Sequence, residues 1–293
     1  MKHRIAGGLM LFALSMYGTV FAAGTNVFTY TVGDCEVSVL VENSSRSNTS
    51  RLIGADEATL KKYLPDGTYA TATNAFLVKT PKQIILVDTG FGTNLFQNMQ
   101  TLGVTPDAVD AVLMTHMHGD HIGGLQRDGK PLFPKADVYL AEQELRFWSN
   151  AENVKAALAP YGERVKTFAP ATIGAVSQEL LPAITAIAAF GHTPGHTVYT
   201  VGSKGKSLLI WGDLVHAMEI QIPVPEVSIN FDTDPVMAAA TRKTILEYVA
   251  ANGIPVAGMH LVYPGIGTIK EVSGGSDSLQ SGSMKSFHFT PAE

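Results

Sequence analysis

Short apolar runs alternate with longer amphipathic stretches along most of the chain. Apolar runs, either continuous or alternating with polar residues and bounded by Gly, Pro or Asp, predict β-strands. The predicted strands cover residues 28–32, 36–41, 74–78, 83–87, 111–114, 136–140, 184–190, 198–201, 208–211 and 256–259.

Helical patterns lie between several of these strands. Asp56 is placed to cap a helix over 57–64 that Pro65 ends, and Asp234-Pro235 opens a helix over 235–251. Two further helices are predicted over 94–103 and 142–159. The polar stretch 43–50 has no hydrophobic periodicity, which predicts a loop. The Gly- and Ser-rich stretch 272–282 also predicts a loop, and a short final strand is expected after it.

The order of these elements predicts the fold class. Strands and helices alternate through both halves, and no linker divides them. Several strands end at a Gly beside a His or Asp, which places polar side chains along one edge of a layered core. The pattern therefore predicts a single α/β domain over 23–293, with helices outside sheets.

The N-terminus has the features of an export signal. A basic segment, Lys2-His3-Arg4, precedes an apolar segment over 5–20, and Val20-Phe21-Ala22 resembles a cleavage site. The apolar segment is short for a membrane anchor and contains three glycines. We therefore predict a signal peptide over 1–22, no stable membrane anchor, and a periplasmic or secreted protein.

Composition narrows the function classes. The 293 residues are 45% hydrophobic and 16% charged, as in globular proteins. The net charge is −5 without a basic block, which argues against nucleic acid as a partner. The single cysteine, Cys35, has no internal disulfide partner and is expected to be buried.

Four side chains that can bind a metal lie close together in the stretch Thr115-His116-Met117-His118-Gly119-Asp120-His121. This stretch comes directly after the predicted strand 111–114. Imidazole nitrogens and carboxylate oxygens suit Zn²⁺ or a similar divalent ion. His116 and His118 are two residues apart, so in an extended segment they point the same way and share one ion. Asp120 and His121 follow Gly119, where the chain turns, and are expected to face a second ion.

Three more candidate ligands lie near strand ends. His196 follows a Pro-Gly turn that would aim it at the first ion, and His260 ends the last predicted buried strand, 256–259. Asp213 follows the strand 208–211, and its two oxygens suit a bridge between two ions. This set leaves room for a water shared by both ions.

These motifs resemble those of the metallo-β-lactamase-fold hydrolases. His-Met-His-Gly-Asp-His matches that family's H-x-H-x-D-H motif, Gly-His-Thr-Pro-Gly-His-Thr its third-histidine motif, and Leu-Ile-Trp-Gly-Asp its bridging-aspartate motif. The Asp88-Thr89-Gly90 turn is also common there. Within the family, the chain looks most like the exported methyl parathion hydrolase and quorum-quenching lactonase branch.

The resemblance implies a four-layer αββα sandwich with two zinc ions at one edge. It implies His116, His118 and His196 on the first ion, Asp120, His121 and His260 on the second, and Asp213 between them. It also implies an enzyme in which a hydroxide shared by the ions attacks a lactone, an ester or a phosphotriester. Asp120 and Asp213 are then the catalytic residues, with Asp120 placed to receive or return a proton.

The substrate is expected to be a small molecule with an apolar group. Phe96 and Trp148 would line the pocket, and His216 would point into it as a proton donor. His192 is expected either to orient a ligand or to pack within its loop, and Asp88 to hold the metal loop by accepting hydrogen bonds. A homodimer is compatible with the sequence.

Three alternatives remain open from the sequence. They are a β-lactamase of the same fold, a thioesterase of the same fold, and a zinc-binding protein without turnover. An aspartate, Asp213, stands where class B1 β-lactamases carry a cysteine ligand, which argues against the first. The complete ligand set argues against the last.

Overall fold

The computed structural model describes residues 26–272 and 285–293. The predicted signal peptide and nearly all of the predicted loop at 272–282 lie outside these residues. Among the helices that are described, none is long and apolar enough to cross a membrane.

Strands are more numerous than helices in the described chain. In chain order they are β1 Val27–Val32, β2 Cys35–Asn48, β3 Leu52–Ile53, β4 Thr68–Lys79, β5 Ile84–Val87, β6 Ala111–Leu113, β7 Gln126–Arg127, β8 Lys130–Pro131, β9 Asp137–Ala141, β10 Val165–Phe168, β11 Ile184–Ala188, β12 Thr197–Ser203, β13 Lys206–Ile210, β14 Ser228–Ile229, β15 Val256–Ala257, β16 Ile266–Val272 and β17 Ser286–Pro291.

The α-helices are mostly short. They are α1 Glu57–Tyr63, α2 Leu95–Thr101, α3 Gly119–Ile122, α4 Glu142–Phe147, α5 Glu152–Leu158, α6 Met218–Gln221 and α7 Pro235–Asn252. As predicted, the Asp56 side chain caps α1 by accepting from Thr59 N, and the Asp234 side chain caps α7 by accepting from Met237 N.

Two large mixed sheets form the centre of the domain. The first has seven strands in the order β1-β2-β4-β5-β6-β9-β10, and the second has six in the order β11-β12-β13-β15-β16-β17. Their facing sides share one buried cluster, in which Phe76 and Val78 of the first sheet lie with Tyr199 and Ile210 of the second. This apolar layer holds the two sheets face to face.

The outer side of each sheet is covered by helices. Because side chains alternate along a strand, Leu77 and Leu86 point away from the second sheet and pack with Met99 of α2 and Ala157 of α5. On the opposite side, residues of α7 pack on the second sheet through a separate cluster that includes Leu246. The layers are therefore helix, sheet, sheet, helix, which confirms the predicted αββα sandwich.

One predicted loop is wrong. Residues 43–48 continue β2 and pair with residues 68–73 of β4 in an extension of the first sheet. The stretch is polar on both faces and mostly exposed, so it carries no apolar alternation that would have indicated a strand. We call this extension the polar ribbon, and it forms one wall of the cavity described below.

A second prediction is wrong in part. The helix predicted over 142–159 is two helices, α4 and α5, separated by residues 148–151. Ser149 and Asn150 lie in that break, and both residue types favour turns over helix interiors. The break leaves Trp148 at the end of α4, beside the loop that follows β6.

A β-bulge joins the core of β2 to the polar ribbon. The register of β2 against β4 shifts between Val41 and Asn43, so Glu42 has no partner in the ladder. The buried Glu42 carboxylate accepts backbone N–H bonds from Phe91, Gly92, Asn94 and Leu95. The bulge therefore redirects one side chain to hold the loop that follows the Asp-Thr-Gly turn.

Candidate metal centre and active site

A buried carboxylate, Asp213, lies at the centre of a group of histidines. It follows β13 in a short 3-10 turn. Its Oδ2 atom is 3.0 Å from His216 Nε2, 3.1 Å from His260 Nε2 and 3.2 Å from His192 Nε2. His121 Nε2 is 3.1 Å from the other oxygen, Oδ1. Asp213 therefore contacts imidazoles through both of its oxygens.

The first set consists of His116, His118 and His192. His116 Nε2 is 2.9 Å from His118 Nδ1 and 3.2 Å from His192 Nε2, and the last two nitrogens are 3.0 Å apart. Together with Asp213, these residues each direct one atom that can bind a metal towards a common point.

The second set consists of Asp120, His121 and His260, whose ligand atoms also lie close enough together to hold an ion. His121 Nε2 is 3.7 Å from Asp120 Oδ1, and His260 Nε2 is 3.7 Å from Asp120 Oδ2. Asp120 is the least buried of the three, with 26% of its side chain exposed, so it faces the open side of the site.

The structure contradicts the placement of His196 in the first set. Both of its ring nitrogens are occupied within the fold: Nδ1 is 2.9 Å from the Ala189 carbonyl, and Nε2 accepts a 3.0 Å bond from Asp213 N. His192 occupies the position expected for His196. His196 instead fixes the backbone of the central aspartate.

A signal in the sequence could have identified His192. His116 comes three residues after β6 and Asp213 comes three residues after β13, so functional side chains follow strand ends. His192 likewise follows the end of β11, whereas His196 comes directly before β12 and so belongs to the start of a buried strand. The position relative to the strand, more than the Pro-Gly turn, distinguishes the two residues.

His118 and Asp213 are in the protonation states that bind a divalent cation. Burial lowers the pKa of His118 to about 4, so its imidazole is neutral at pH 7 and offers a lone pair. Burial alone would raise the pKa of Asp213, but the charges of His121 and His260 hold that pKa well below its usual range. Neutral imidazole and ionised carboxylate are the forms that bind metals. Burial alone would lower the pKa of His121 and His260, but the Asp213 carboxylate raises both, so a bound ion would displace a proton from each ring.

Unsatisfied polar atoms give a second indication of a cation. His121 Nε2 and Asp213 Oδ1 are both buried, and neither has a hydrogen-bond partner of good geometry among the described residues. Buried polar groups are almost always satisfied, and metal coordination is one way to satisfy them. These residues could therefore hold a metal ion.

The ligand-bearing loop after β6 is held by Asp88. Its Oδ1 accepts from Thr115 N at 2.8 Å, and its Oδ2 accepts from Thr115 Oγ1 and contacts His121 Nδ1, each at 2.6 Å. This contact orients the His121 ring so that Nε2 points to the site. Asp88 thus has the role in holding the loop that the sequence predicted.

His192 is oriented in the same way by Asp232. His192 Nδ1 is 2.9 Å from Asp232 Oδ1, and the carboxylate also accepts from Ile229 N at 3.1 Å. Burial alone would lower the pKa of His192, but its contacts with Asp213 and Asp232 raise that pKa to about 9. The buried Arg242 side chain lies 3.8 Å from Asp232 and donates to three carbonyls of the surrounding loops.

Glu144 connects the two loops that carry the first set of histidines. It is fully buried on α4. Its Oε1 accepts from Met117 N at 3.0 Å and from Trp148 Nε1 at 2.6 Å. Its Oε2 accepts from Thr193 Oγ1 at 2.7 Å and from Gly195 N at 3.0 Å. One carboxylate therefore fixes the segment between His116 and His118 against the segment after His192.

A cavity of about 340 Å³ opens above the site. Its floor includes Asp120, Asp213 and His260, and the polar ribbon forms a wall. The volume is within the range of small-molecule sites.

The pocket residues predicted from the sequence are only partly correct. His216 lines the cavity, but its Nε2 contacts Asp213 and burial lowers its pKa to about 4, which does not suit a proton donor at neutral pH. Phe96 packs in the core, where its ring stacks on Phe133 at 5.9 Å. Trp148 is not part of the cavity wall; its ring lies 5.4 Å from the His118 ring. The aromatic side chains that do line the cavity are Tyr69 and Phe231.

The sandwich fold and the His/Asp site at its edge define a metal-dependent hydrolase. A family model described as the metallo-beta-lactamase superfamily matches residues 68–252, which is more than half of the chain. The chain therefore belongs to the metallo-beta-lactamase superfamily.

Two solved structures resemble the whole domain. One is the hydrolase AbOPH of the beta-lactamase superfamily, with 30% sequence identity and a TM-score of 0.78, covering 92% of this chain and 98% of that one. The other is AidC, a dizinc quorum-quenching lactonase in complex with its product, with 25% identity, a TM-score of 0.78 and the same two coverages. These neighbours agree with the branch that the sequence motifs indicated.

Matches to characterised sequence relatives are partial. The chain is 29% identical to ribonuclease TTHA0252 of Thermus thermophilus over 219 residues, which is 64% of this chain and 47% of the ribonuclease. The chain spans about a quarter to a half of the length of the sequence relatives that it matches.

The role of Glu144 can be tested by Glu144→Gln. The amide replaces one acceptor oxygen with a donor that faces existing N–H or O–H donors, so at least one buried bond is lost. We expect the free energy of unfolding to fall by about 1–3 kcal/mol. Denaturant unfolding measures this change, with Glu142→Gln as the control, because Glu142 lies on the same helix with 55% of its side chain exposed. Equal stability of the two variants would contradict the role of Glu144.

Proposed function

We propose that this protein is an exported hydrolase that uses two divalent ions, with zinc expected, to cleave a lactone, an ester or a phosphotriester. The observation that carries the proposal is the pair of His/Asp clusters joined by Asp213 at the floor of an open cavity. The similarity to a dizinc lactonase and to a hydrolase over almost the whole chain supports it.

The ligand set that we propose differs from the sequence prediction by one residue. His116, His118 and His192 would hold one ion, and Asp120, His121 and His260 would hold the other. Asp213 would be shared, since its Oδ2 atom lies near both His192 and His260 and its Oδ1 atom lies near His121. His196 is left out because its ring nitrogens are already bonded within the protein.

Two bound ions would supply Lewis acidity and a water whose pKa is lowered from 15.7 towards about 7. The chain supplies orientation and proton transfer. Asp88 and Asp232 fix the rings of His121 and His192, and Glu144 fixes the loops that carry the first cluster. The partly exposed carboxylate of Asp120 lies at the cavity floor, where its Oδ2 atom can take a proton and return it to a leaving group.

The cavity supports a small-molecule substrate with an apolar group. Phe231 is 44% exposed and lines the cavity, so it offers an apolar surface to an acyl or aryl group, in place of Phe96 and Trp148. Hydrolysis of a lactone, an ester and a phosphotriester requires the same attack on a polarised carbon or phosphorus. A substrate panel is needed to decide among them.

Other activities of the fold are the competing hypotheses. Several sequence relatives are nucleases, including ribonuclease TTHA0252. The net charge of −5 argues against a nucleic-acid substrate, since nucleic-acid sites are electropositive. A β-lactam or a thioester would need the same site residues. Zinc binding without turnover is disfavoured because the cavity reaches Asp120 and Asp213.

Metal removal provides the main test. Chelation should abolish hydrolysis across a panel of an acyl-homoserine lactone, an aryl ester and a neutral phosphotriester, and added Zn²⁺, Co²⁺ or Mn²⁺ should restore it. Elemental analysis should find close to two ions per chain, one for the group around His116, His118 and His192 and one for the group of Asp120, His121 and His260.

Two outcomes would refute the proposal. One is full activity in protein shown to be metal-free. The other is rapid cleavage of penicillins, thioesters or nucleic acid together with no activity on the three panel substrates.

The ligand assignment is tested by comparing two histidine variants. His192→Ala should lower the bound metal to about one ion per chain, because it removes a nitrogen that faces His116 and His118. His196→Ala should retain two ions but should be less stable by about 1–2 kcal/mol, because it removes buried hydrogen bonds to Ala189 and Asp213. Elemental analysis and denaturant unfolding measure the two effects. Loss of an ion from His196→Ala alone would restore the original assignment.

We also infer export, which rests on the leader over residues 1–22. Mass spectrometry of the protein recovered from the periplasm or the medium should give a mature chain that begins near Ala23 or Gly24. Recovery of the full-length chain in the cytoplasm would argue against export. We propose a homodimer only as the simplest assembly, to be measured by light scattering.

A further inference from the structure

The mouth of the cavity carries an arginine that the proposed chemistry does not use. Arg51 lines the cavity at the end of a short 3-10 turn, Thr49–Arg51. Its carbonyl accepts a 2.8 Å bond from Asn230 N, next to the β3–β14 pairing. This bond holds the backbone of Arg51 beside the segment that carries Phe231.

The Arg51 guanidinium is positioned over an aromatic ring. Its central carbon lies 5.0 Å from the centre of the Phe231 ring. Across residues 26–272 and 285–293, no carboxylate lies within ion-pair distance of it and no hydrogen bond from its side chain is found. Stacking on a ring restricts the guanidinium while leaving its N–H donors available.

Arg46, on the polar ribbon, has a different environment. Its guanidinium is 2.7 Å from Asp66 Oδ2 and donates to the Thr68 hydroxyl, away from the cavity. Within the part of the chain that the structure describes, one exposed arginine of this region is therefore paired with a carboxylate and the other is not. The difference is that only Arg51 lines the cavity.

The wall next to Arg51 is polar. Ser45, Ser47, Thr71 and Thr73 line the cavity from the polar ribbon, with Ser45 opposite Thr71 in the strand register. Alternate residues of paired strands share one face, so these hydroxyls form a single surface. Such a surface can donate and accept hydrogen bonds but supplies no charge. At this wall, Arg51 is therefore the side chain that can select a substrate by its charge.

We propose that Arg51 binds a carboxylate on the substrate, at the end remote from the scissile bond. The planar guanidinium matches the two oxygens of a carboxylate. The hydroxyl groups of the neighbouring wall can donate further hydrogen bonds to the same oxygens. The substrate is thus an ester or lactone with an apolar middle on Phe231 and an anionic end at Arg51. This inference rests on the proposed function of the same site.

The test uses substrate pairs that differ only in the carboxylate. 4-Nitrophenyl hexanoate is compared with the mono-4-nitrophenyl ester of adipic acid, and phenyl hexanoate with 4-carboxyphenyl hexanoate. Arg51→Gln should lower kcat/KM for at least one carboxylate-bearing ester by roughly tenfold more than for its neutral partner, mainly through KM. Arg51→Lys should recover part of that loss, since it keeps the charge but not the fork geometry.

Arg46→Gln is the matched control, because it removes an arginine from the same region without touching the cavity, and it should leave all four values within about twofold of the parent. An equal loss on charged and neutral esters in Arg51→Gln would show a structural role for Arg51 and overturn the proposal. The same conclusion follows if the parent does not prefer either carboxylate-bearing ester and Arg51→Gln changes no ratio.

A binding measurement keeps this test separate from the proposed function. If the metal-loaded parent hydrolyses none of the esters, the hydrolase proposal fails, but calorimetry with adipate and hexanoate still decides the role of Arg51. Adipate should bind more tightly than hexanoate to the parent, and Arg51→Gln should remove most of that difference while Arg46→Gln retains it. An unchanged difference in Arg51→Gln would overturn the inference.

Discussion

The constraint on which the site depends is the burial of one carboxylate, Asp213, among five imidazoles. A buried charge is costly unless other groups compensate for it, and here compensation comes from segments far apart in the sequence. The histidines follow or lie near the ends of β6, β11, β13 and β15, so they meet only when the two sheets close at the same edge. The central aspartate therefore couples formation of the site to formation of the whole sandwich.

Further buried carboxylates keep this arrangement in place. Asp88, Asp232 and Glu144 each accept bonds from loops that carry site residues. Glu42 does the same for the loop after Asp-Thr-Gly, although it touches no histidine. Each of these carboxylates replaces water as the acceptor for backbone or imidazole N–H groups. The loops are irregular in backbone conformation, but buried hydrogen bonds to these carboxylates fix their positions.

The layered fold could be predicted from the sequence because continuous apolar runs indicate buried strands. The role of Asp88 could be predicted because that residue directly follows such a run. The sequence did not predict the polar ribbon, because a strand that is exposed to solvent on both faces has no alternation of apolar and polar residues. His192 and His196 have the same chemistry and lie four residues apart, so only their positions relative to β11 and β12 distinguish them. Phe96 was misplaced because an aromatic residue looks the same in sequence whether it faces a core or a cavity.

The bulge at Glu42 divides β2 into two parts whose side chains are under different structural constraints. Before it, the strand is buried between layers and its side chains are constrained by packing; after it, the strand is exposed and only its backbone pairing is required. Substitutions on the exposed part can therefore accumulate without loss of the fold, although they change the chemistry of the cavity wall. One strand thus combines a part that packing constrains with a cavity wall whose side chains can change without disturbing the core.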